Sequence, residues 1–216
     1  MSKTKVYTRI EEIFHALTHG VGAILSLIGF IVMLILSIRN GNPWVIVSVI
    51  VFGVACFAMY MSSTIYHSLP IGDIKKIFRI LDHTSIFLLI SGTYTPFLLV
   101  YMRNVWGWSL FMILWSLTAI GFVFKLFFTG KLDKVATIIY ILMGWIAIVA
   151  VKPALTYIPF PALMLMLVGG IFYTAGVIFY LWDKLPFHHV IWHLFVLSGT
   201  LVHFISILNF VVLSNN

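Results

Sequence analysis

The chain has 216 residues, of which 62% are hydrophobic and only 9% are charged. A water-soluble domain carries roughly a quarter charged residues, so this composition excludes a soluble protein and indicates a single integral membrane domain over residues 1–216. The formal net charge of +7 could suggest nucleic acid, but the basic residues stand in small clusters between apolar runs, which is typical of topology signals. We therefore expect membrane lipids as partners and no nucleic acid. Composition does not indicate the oligomeric state.

Seven apolar stretches are long enough to cross a bilayer, since about 20 helical residues span a hydrocarbon core of about 30 Å. We predict an all-α membrane protein, a seven-transmembrane helix bundle. The first stretch is too long for the apolar region of a signal peptide, which has roughly 7–15 residues, so it is expected to remain in the mature protein. In chain order the predicted spans are 16–38, 44–67, 79–101, 106–128, 134–152, 161–182 and 188–213.

Basic residues are distributed unequally between the two sides of this bundle. An excess of lysine and arginine is typical of the cytoplasmic side of a membrane protein. We therefore expect a cytoplasmic N-terminus, an external C-terminus and a multi-pass protein of the plasma membrane. The richer side has Lys3, Lys5, Arg9, Lys75, Lys76, Arg79, Lys125, Lys131, Lys134 and Lys184, and the poorer side has Arg39, Arg103 and Lys152.

Four side chains suited to a metal site fall at the same end of three predicted spans. His67 closes the second span, Asp82 opens the third, and His189 and His193 open the seventh. Because successive helices run in opposite directions, all four should lie at a common depth on the predicted cytoplasmic side. His189 and His193 are spaced i, i+4 and share a helix face, which is how one helix offers two imidazoles to one ion.

The types of these residues favour zinc. Cys56 is the only cysteine and lies within a span, so thiolate sites and disulfides are excluded. Imidazole nitrogens suit zinc, copper or iron, whereas magnesium and calcium prefer oxygen ligands. Three protein ligands with an open fourth position are the pattern of catalytic zinc, so we predict Zn²⁺ bound by His67, His189 and His193.

Asp82 is the residue expected to handle the water at this ion. An unpaired carboxylate within a span is costly, so a cation, or water bound to one, is a natural partner. Asp82 would act as general base or water-holder, or it could ligate the ion directly, and Ser63 would support it as a hydrogen-bond donor. The alternative role for Asp82 is an ion pair with Arg79, three residues earlier.

Further histidines compete with this assignment. His15 and His19 are also spaced i, i+4, at the start of the first span. They could replace a ligand or form a second site, but we favour positions at the membrane interface, and we expect the same of His188. His203 lies ten residues past His193, about 15 Å deeper, which is too far to bind the same ion. We expect His203 to line a cavity or to bond to a neighbouring helix.

Three short motifs contain these residues. Residues 63–67 read S-T-I-Y-H, residues 81–85 read L-D-H-T-S and precede G-T-Y-T-P at 92–96, and residues 189–193 read H-V-I-W-H. Together they resemble the motifs of the hemolysin III branch of the progestin and adiponectin receptor (PAQR) family, over nearly the whole chain. The resemblance implies a seven-helix bundle with a cytoplasmic N-terminus and zinc near the inner leaflet. The implied ligands are His67, His189 and His193, with Asp82 facing a bound water.

One departure from the receptor-type members of that family is visible. They carry an E-x-x-N-x-x-x-H pattern entering the first helix, whereas His15 stands at the asparagine position here. A hormone-receptor role is therefore not transferred.

The family is similar to alkaline ceramidases, so the resemblance implies zinc-dependent hydrolysis of a lipid amide or ester, with the lipid-like substrate in the bundle cavity. Two alternatives stay open. One is a non-enzymatic protein with a structural zinc, either a sensor of membrane state or a cytolytic hemolysin. The other is a proton-coupled transporter that uses the histidines as a relay.

Overall fold

The computed structural model describes residues 7–214, so Lys3 and Lys5 of the charge count lie outside the described residues. Over that range the chain forms helices and no strand, and seven helical segments are long and apolar enough to cross a membrane. The prediction of seven spans in an all-α fold is confirmed. The elements are α1 (Arg9–Asn40), α2 (Pro43–Ser68), α3 (Asp73–Tyr101), α4 (Val105–Phe128), α5 (Asp133–Gly144), a 3₁₀ segment (Ile146–Ala150), α6 (Val151–Tyr157), α7 (Phe160–Leu181), α8 (His188–Ile207) and a π-helical turn (Leu208–Val212).

The bundle is apolar on its outer surface and holds polar groups within. Ile24, Ile178 and Leu201 are each more than half exposed, whereas Ser37 and Thr95 are fully buried. The two buried hydroxyls donate to backbone carbonyls of their own helices. A bilayer imposes this arrangement, because lipid solvates apolar side chains and offers no partner to a polar group.

The first helix begins earlier than the apolar run that predicts it. The predicted span begins at 16, but α1 begins at Arg9 behind a capping box. Thr8 Oγ1 accepts from the Glu11 backbone N–H at 3.2 Å, and the Glu11 carboxylate accepts from the Thr8 backbone N–H at 2.9 Å. Both donors would otherwise be unsatisfied at the helix start. The segment that carries His15 and His19 is therefore helix interior rather than a helix end.

The fifth span is broken in its middle. The predicted span ends at 152, whereas the structure continues it to Tyr157 as α5, the 3₁₀ segment and α6. Pro153 has no N–H to donate, and its ring crowds the carbonyl of Val149, so the regular helical ladder fails in the residues before it. Within α6 the same proline stands in the first turn, where it is tolerated. The result is an irregular wall in mid-bundle.

Gly92 lets α2 and α3 approach closely. A Cβ built at Gly92 in α3 would lie 2.6 Å from the Cβ of Ala55 in α2 and 3.5 Å from the carbonyl oxygen of Val51. Small residues at helix crossings are a principal source of packing between membrane helices. This contact sets the position of α3, and hence of Asp82, against α2.

Gly92→Ala should lower the stability of the bundle by about 1–3 kcal/mol, because the added methyl group forces α3 away from α2. The midpoint of thermal unfolding in detergent measures this effect. The matched control is Gly20→Ala in α1, where the nearest atom, Cγ2 of Thr64, lies at an ordinary 3.6 Å. That control should be neutral or stabilising, since alanine favours helix over glycine. Equal midpoints for the two variants would contradict the packing argument.

Candidate metal centre

The three predicted ligands meet at one end of the bundle. His67 is in the last turn of α2, and His189 and His193 are on successive turns at the start of α8. One ligand nitrogen from each ring lies within 4.8 Å of those of the other two. His67 and His193 are buried and His189 is partly buried. Three imidazole nitrogens so close together could bind one divalent ion.

Glu12 of α1 sets the proton position on His67. Its Oε2 accepts from Nδ1 of His67 at 2.5 Å, and its Oε1 accepts from Nζ of Lys75 at 2.9 Å. Because an ionised carboxylate only accepts, the neutral His67 ring carries its proton on Nδ1 and its lone pair on Nε2. That Nε2 is buried and has no hydrogen-bond partner among the described residues. Metal-binding histidines commonly have such a carboxylate on the other ring nitrogen.

Thr18 prepares His193 in the same way. The Thr18 hydroxyl donates to the carbonyls of Phe14 at 2.9 Å and His15 at 3.0 Å, so it accepts from Nδ1 of His193 at 3.0 Å. This leaves the lone pair of His193 on Nε2. Nδ1 of His189 is also buried with no partner within residues 7–214. The donor set therefore fits an ion that prefers imidazole nitrogen.

His15 and His19 lie inside this cluster, so the prediction of an interfacial position is wrong for both. The His15 ring is fully buried, with its centroid 4.6 Å from that of His67, and the His19 ring stacks on His193 at 3.5 Å. Over the described range no ring nitrogen of His15 or His19 has a hydrogen-bond partner. The interfacial prediction failed because hydropathy does not determine the rotation of α1, which turns both rings towards α2 and α8.

His188 and Glu12 also take part in contacts at this end of the bundle that a site of three histidines does not include. His188 is buried rather than interfacial, and its Nδ1 donates to the carbonyl of Phe179 at 3.0 Å. Glu12, His15 and His67 form a second group whose ligand atoms lie within 4.8 Å of one another. His67 therefore belongs to both groups, with Glu12 on one side and the α8 histidines on the other.

Tyr7, which precedes α1, covers the cluster. Its ring centroid lies 4.7 Å from that of His15 and 5.4 Å from that of His189. Burial raises the pKa of the Tyr7 hydroxyl above its usual range. Sequence reasoning missed both Tyr7 and Glu12 as parts of the site. The signal that could have found them is the S/T-x-x-E pattern at Thr8, which predicts a helix from residue 9.

Asp82 and Ser63 reach the cluster through a shared cavity of about 330 Å³. Both line it, together with His189 and His193 at one end. The Asp82 carboxylate is not among the atoms that lie within 4.8 Å of one another, so it stands beside the ligand set rather than within it. The buried Ser63 hydroxyl lies next to Asp82 without hydrogen-bond geometry. This placement suits a residue that acts through water.

The cavity extends from the cluster deep into the bundle and is mostly apolar. It is walled by α3, the broken fifth span, α7 and α8. Trp145 and Ile148 of the fifth span contribute to it, and His203 lines it with Met166. Nε2 of His203 donates to the carbonyl of Met166 at 3.1 Å, so both expectations for His203 are confirmed.

An ion cluster adjoins Asp82 on α3 without including it. Arg79 Nη2 lies 3.2 Å from Oδ2 of Asp133, and the fully buried Lys125 donates from Nζ to Oδ1 of Asp133 at 2.8 Å and to Nδ1 of His83 at 3.2 Å. The described ion pairs of Arg79 thus involve Asp133, which removes the alternative role of Asp82 as its partner. The cluster joins α3, α4 and α5 beside the site.

Comparison with known proteins gives a consistent result over nearly the whole chain. The family model described as "Haemolysin-III related" matches residues 7–204. The chain is 46% identical over 202 residues to "Hemolysin-3" of Bacillus cereus, covering 94% of this chain and 92% of the relative. It is 43% identical over 207 residues to "Hemolysin-3 homolog" of Bacillus subtilis, covering 96% and 97%. A more distant relative is "Monocyte to macrophage differentiation factor" of Homo sapiens, 24% identical over 209 residues, with 93% and 84% covered.

Asp133→Asn should destabilise the bundle by about 3 kcal/mol or more, because it leaves the buried Lys125 without a countercharge. Thermal unfolding in detergent measures the loss. The control is Asp73→Asn, whose pairing with Lys76 is exposed on both sides and should contribute little to stability. An Asp133→Asn midpoint no lower than that of Asp73→Asn would contradict the role of the ion cluster.

Proposed function

The chain belongs to the haemolysin-III-related family, and we propose that it is a zinc-dependent hydrolase of a lipid amide or ester bond. It is a multi-pass protein of the cell membrane. The observation that supports this proposal best is the convergence of His67, His189 and His193 at the head of an apolar cavity that Asp82 also lines. Such a reaction needs a set of metal ligands, a carboxylate beside them and space for an acyl chain.

Zinc, when bound, would supply Lewis-acid activation of water and of the lipid carbonyl. His67 and His193 would bind it through Nε2, because Glu12 and Thr18 hold the Nδ1 protons of those two rings. Keeping these tautomers fixed also keeps the ring planes oriented, which favours a single binding geometry.

Asp82 would accept the proton that the attacking water loses. Its carboxylate lines the same cavity as His189 and His193, on the side of α3. Ser63 lies beside this carboxylate. Its hydroxyl would donate a hydrogen bond to the Asp82 carboxylate when that carboxylate turns towards the water. Lys125 joins Asp133 to His83, which is the residue after Asp82 on α3. This ion cluster would therefore hold Asp82 in position.

The cavity favours a lipid chain as the substrate. Its volume of about 330 Å³ is at the small end of the range for ligand sites, and its walls are mostly apolar side chains. Leu89, Leu163 and Val196 lie along it beyond the cluster. A polar headgroup would stay at the end of the bundle while the acyl carbonyl lies at the histidines.

We place this end of the bundle on the cytoplasmic side, with the N-terminus. The support is the excess of basic residues there, ten against three on the opposite side. Lys75 and Arg79 lie at this end and pair with Glu12 and Asp133 respectively.

A second candidate is a non-enzymatic protein in which zinc only holds helices together. The ligands come from α2 and α8, and Glu12 of α1 bonds to one of them, so an ion here would clamp the first, second and last spans. The name of the Bacillus cereus relative, "Hemolysin-3", suggests cytolysis as a further non-enzymatic function. Release from the membrane would expose apolar surfaces such as those at Ile24 and Leu201 to water, which disfavours a soluble lytic form.

Metal analysis of the purified protein tests the site. We expect zinc to co-purify with the unmodified chain and to be lost from His67→Ala and His193→Ala. His203→Ala is the control, since it removes another buried histidine that lines the same cavity at a deeper level. Full zinc content in His67→Ala would refute the ligand assignment.

Glu12→Gln should weaken zinc affinity about 10- to 100-fold in chelator titrations, because the His67 ring loses its carboxylate partner.

Asp82→Asn tests the reaction separately from the metal. We expect this variant to retain zinc and to lose at least about 100-fold in turnover, because the amide cannot take the proton. Mass spectrometry of fatty acids released from ceramide- and phospholipid-containing vesicles measures turnover. Asp73→Asn, an exposed aspartate on the same helix, should behave like the unmodified protein. Zinc-loaded protein without turnover on any such lipid would instead favour the structural role.

A further inference from the structure

The deep end of the cavity holds a histidine that the proposed reaction does not use. His203 lies on α8 ten residues past His193, which is about 15 Å along the helix. It lines the cavity and is only 6% exposed. Its ring packs so closely on α7 that a Cβ at Gly169 would lie 2.3 Å from its Nε2. The orientation of the ring is thereby restricted from the α7 side.

One ring nitrogen of His203 is committed and the other is unpartnered. Nε2 lies 3.1 Å from the carbonyl oxygen of Met166, and because a carbonyl only accepts, Nε2 carries the proton. Nδ1 then presents a lone pair. That atom is buried and has no hydrogen-bond partner in the part of the chain that the structure describes. A buried acceptor without a donor costs free energy, so a donor from a ligand would be favoured there.

The neighbouring hydroxyl groups have already donated their protons elsewhere. Thr200 donates to the carbonyl of Val196 at 3.0 Å, so it accepts from Tyr60 at 2.7 Å and from Tyr173 at 2.8 Å. Tyr173 also lines the cavity, with its ring centroid 5.5 Å from that of His203. Tyr173 therefore presents oxygen lone pairs to its surroundings and no proton.

Three further hydroxyls on the cavity wall donate their protons to backbone carbonyls. Thr93, Tyr94 and Thr174 donate to the backbone carbonyls of Leu89, Gly144 and Gly170 respectively, at 2.5–2.8 Å. The indole N–H of Trp145 donates to Thr174 at 3.0 Å. These wall groups therefore offer acceptors to a ligand but no free donor.

We propose that the deep end of the cavity is a binding subsite for a hydroxyl group on the chain of the ligand. The hydroxyl donates to Nδ1 of His203, with the Tyr173 oxygen as a second acceptor nearby. The ligand class is a hydroxylated long-chain acyl compound whose hydroxyl lies about 15 Å from its carbonyl. The inference rests on the proposed function only in placing the carbonyl at the metal cluster. A ligand with a keto group at the same carbon has no proton to donate to Nδ1 of His203. Its carbonyl oxygen would also lie next to other hydrogen-bond acceptors.

Three matched fatty acids test the subsite on the unmodified protein. Octadecanoic, 12-hydroxyoctadecanoic and 12-oxooctadecanoic acid compete with a fluorescent fatty acid for protein in phosphatidylcholine nanodiscs. Fatty acids are the acyl products of the proposed reaction, so their binding requires no turnover. The hydroxy acid should bind about 3- to 10-fold more tightly than the other two, as expected for one neutral hydrogen bond. Equal affinity for the hydroxy and oxo acids would overturn the proposal, since water then satisfies Nδ1 equally well.

Substitutions assign the preference to a residue. His203→Phe should abolish the preference for the hydroxy acid while binding octadecanoic acid as before. Ser206→Ala is the matched control on the same helix, because Ser206 is buried and bonds to the carbonyl of Ala162. It should keep the preference, and a His203→Phe protein that also keeps it would exclude His203. If His203→Phe does not fold, the comparison of the three acids on the unmodified protein still decides.

Metal analysis of the same preparations separates this proposal from the proposed function. A preference for the hydroxy acid in protein that binds no zinc would support the subsite and remove the hydrolase. Zinc-loaded protein without the preference would remove the subsite and leave the hydrolase intact.

Discussion

Every polar atom within a bilayer must find its partner inside the protein, and the rest of this structure depends on that requirement. The hydroxyls of Ser37, Thr95 and Thr200 donate to carbonyls of their own helices, and the fully buried Lys125 is neutralised by Asp133. Among the described side chains, the buried nitrogens that remain without a partner all belong to histidines. Most of them meet at one end of the bundle and one lies at His203. At these histidines a ligand that supplies the missing partner would be stabilised.

The cluster of histidines is assembled by a local event at the start of α1. The Thr8 capping box starts the helix at Arg9, so that Glu12 and His15 lie on regular helix and contact His67 of α2. Without that early start the carboxylate that orients His67 would have no defined position. A short-range sequence signal at Thr8 therefore controls the geometry of a site whose last member, His193, lies 185 residues later in the chain.

The two ends of the cavity have different chemistry. At the cluster, Asp82 and Ser63 stand beside imidazole nitrogens, and the Asp133 ion cluster fixes the helix that carries Asp82. At the deep end, His203 and Tyr173 present acceptors in apolar surroundings. The fifth span lines the space between the two ends. It is broken there because Pro153 prevents a regular helix. A ligand held at both ends would be selected by its length as well as by its polar groups.

The sequence by itself determined how many membrane spans there are and at which end of its span each predicted ligand lies. Hydropathy yields the seven spans, and the alternation of helix direction places His67, His189 and His193 at one depth, where the structure does bring them together. Depth is a single coordinate along the membrane normal. The tertiary structure decided the lateral order and rotation of the helices, and these select which residues at one depth make contact. That is why His15 and His19 lie in the cluster rather than at the interface, and why Arg79 pairs with Asp133 rather than with Asp82.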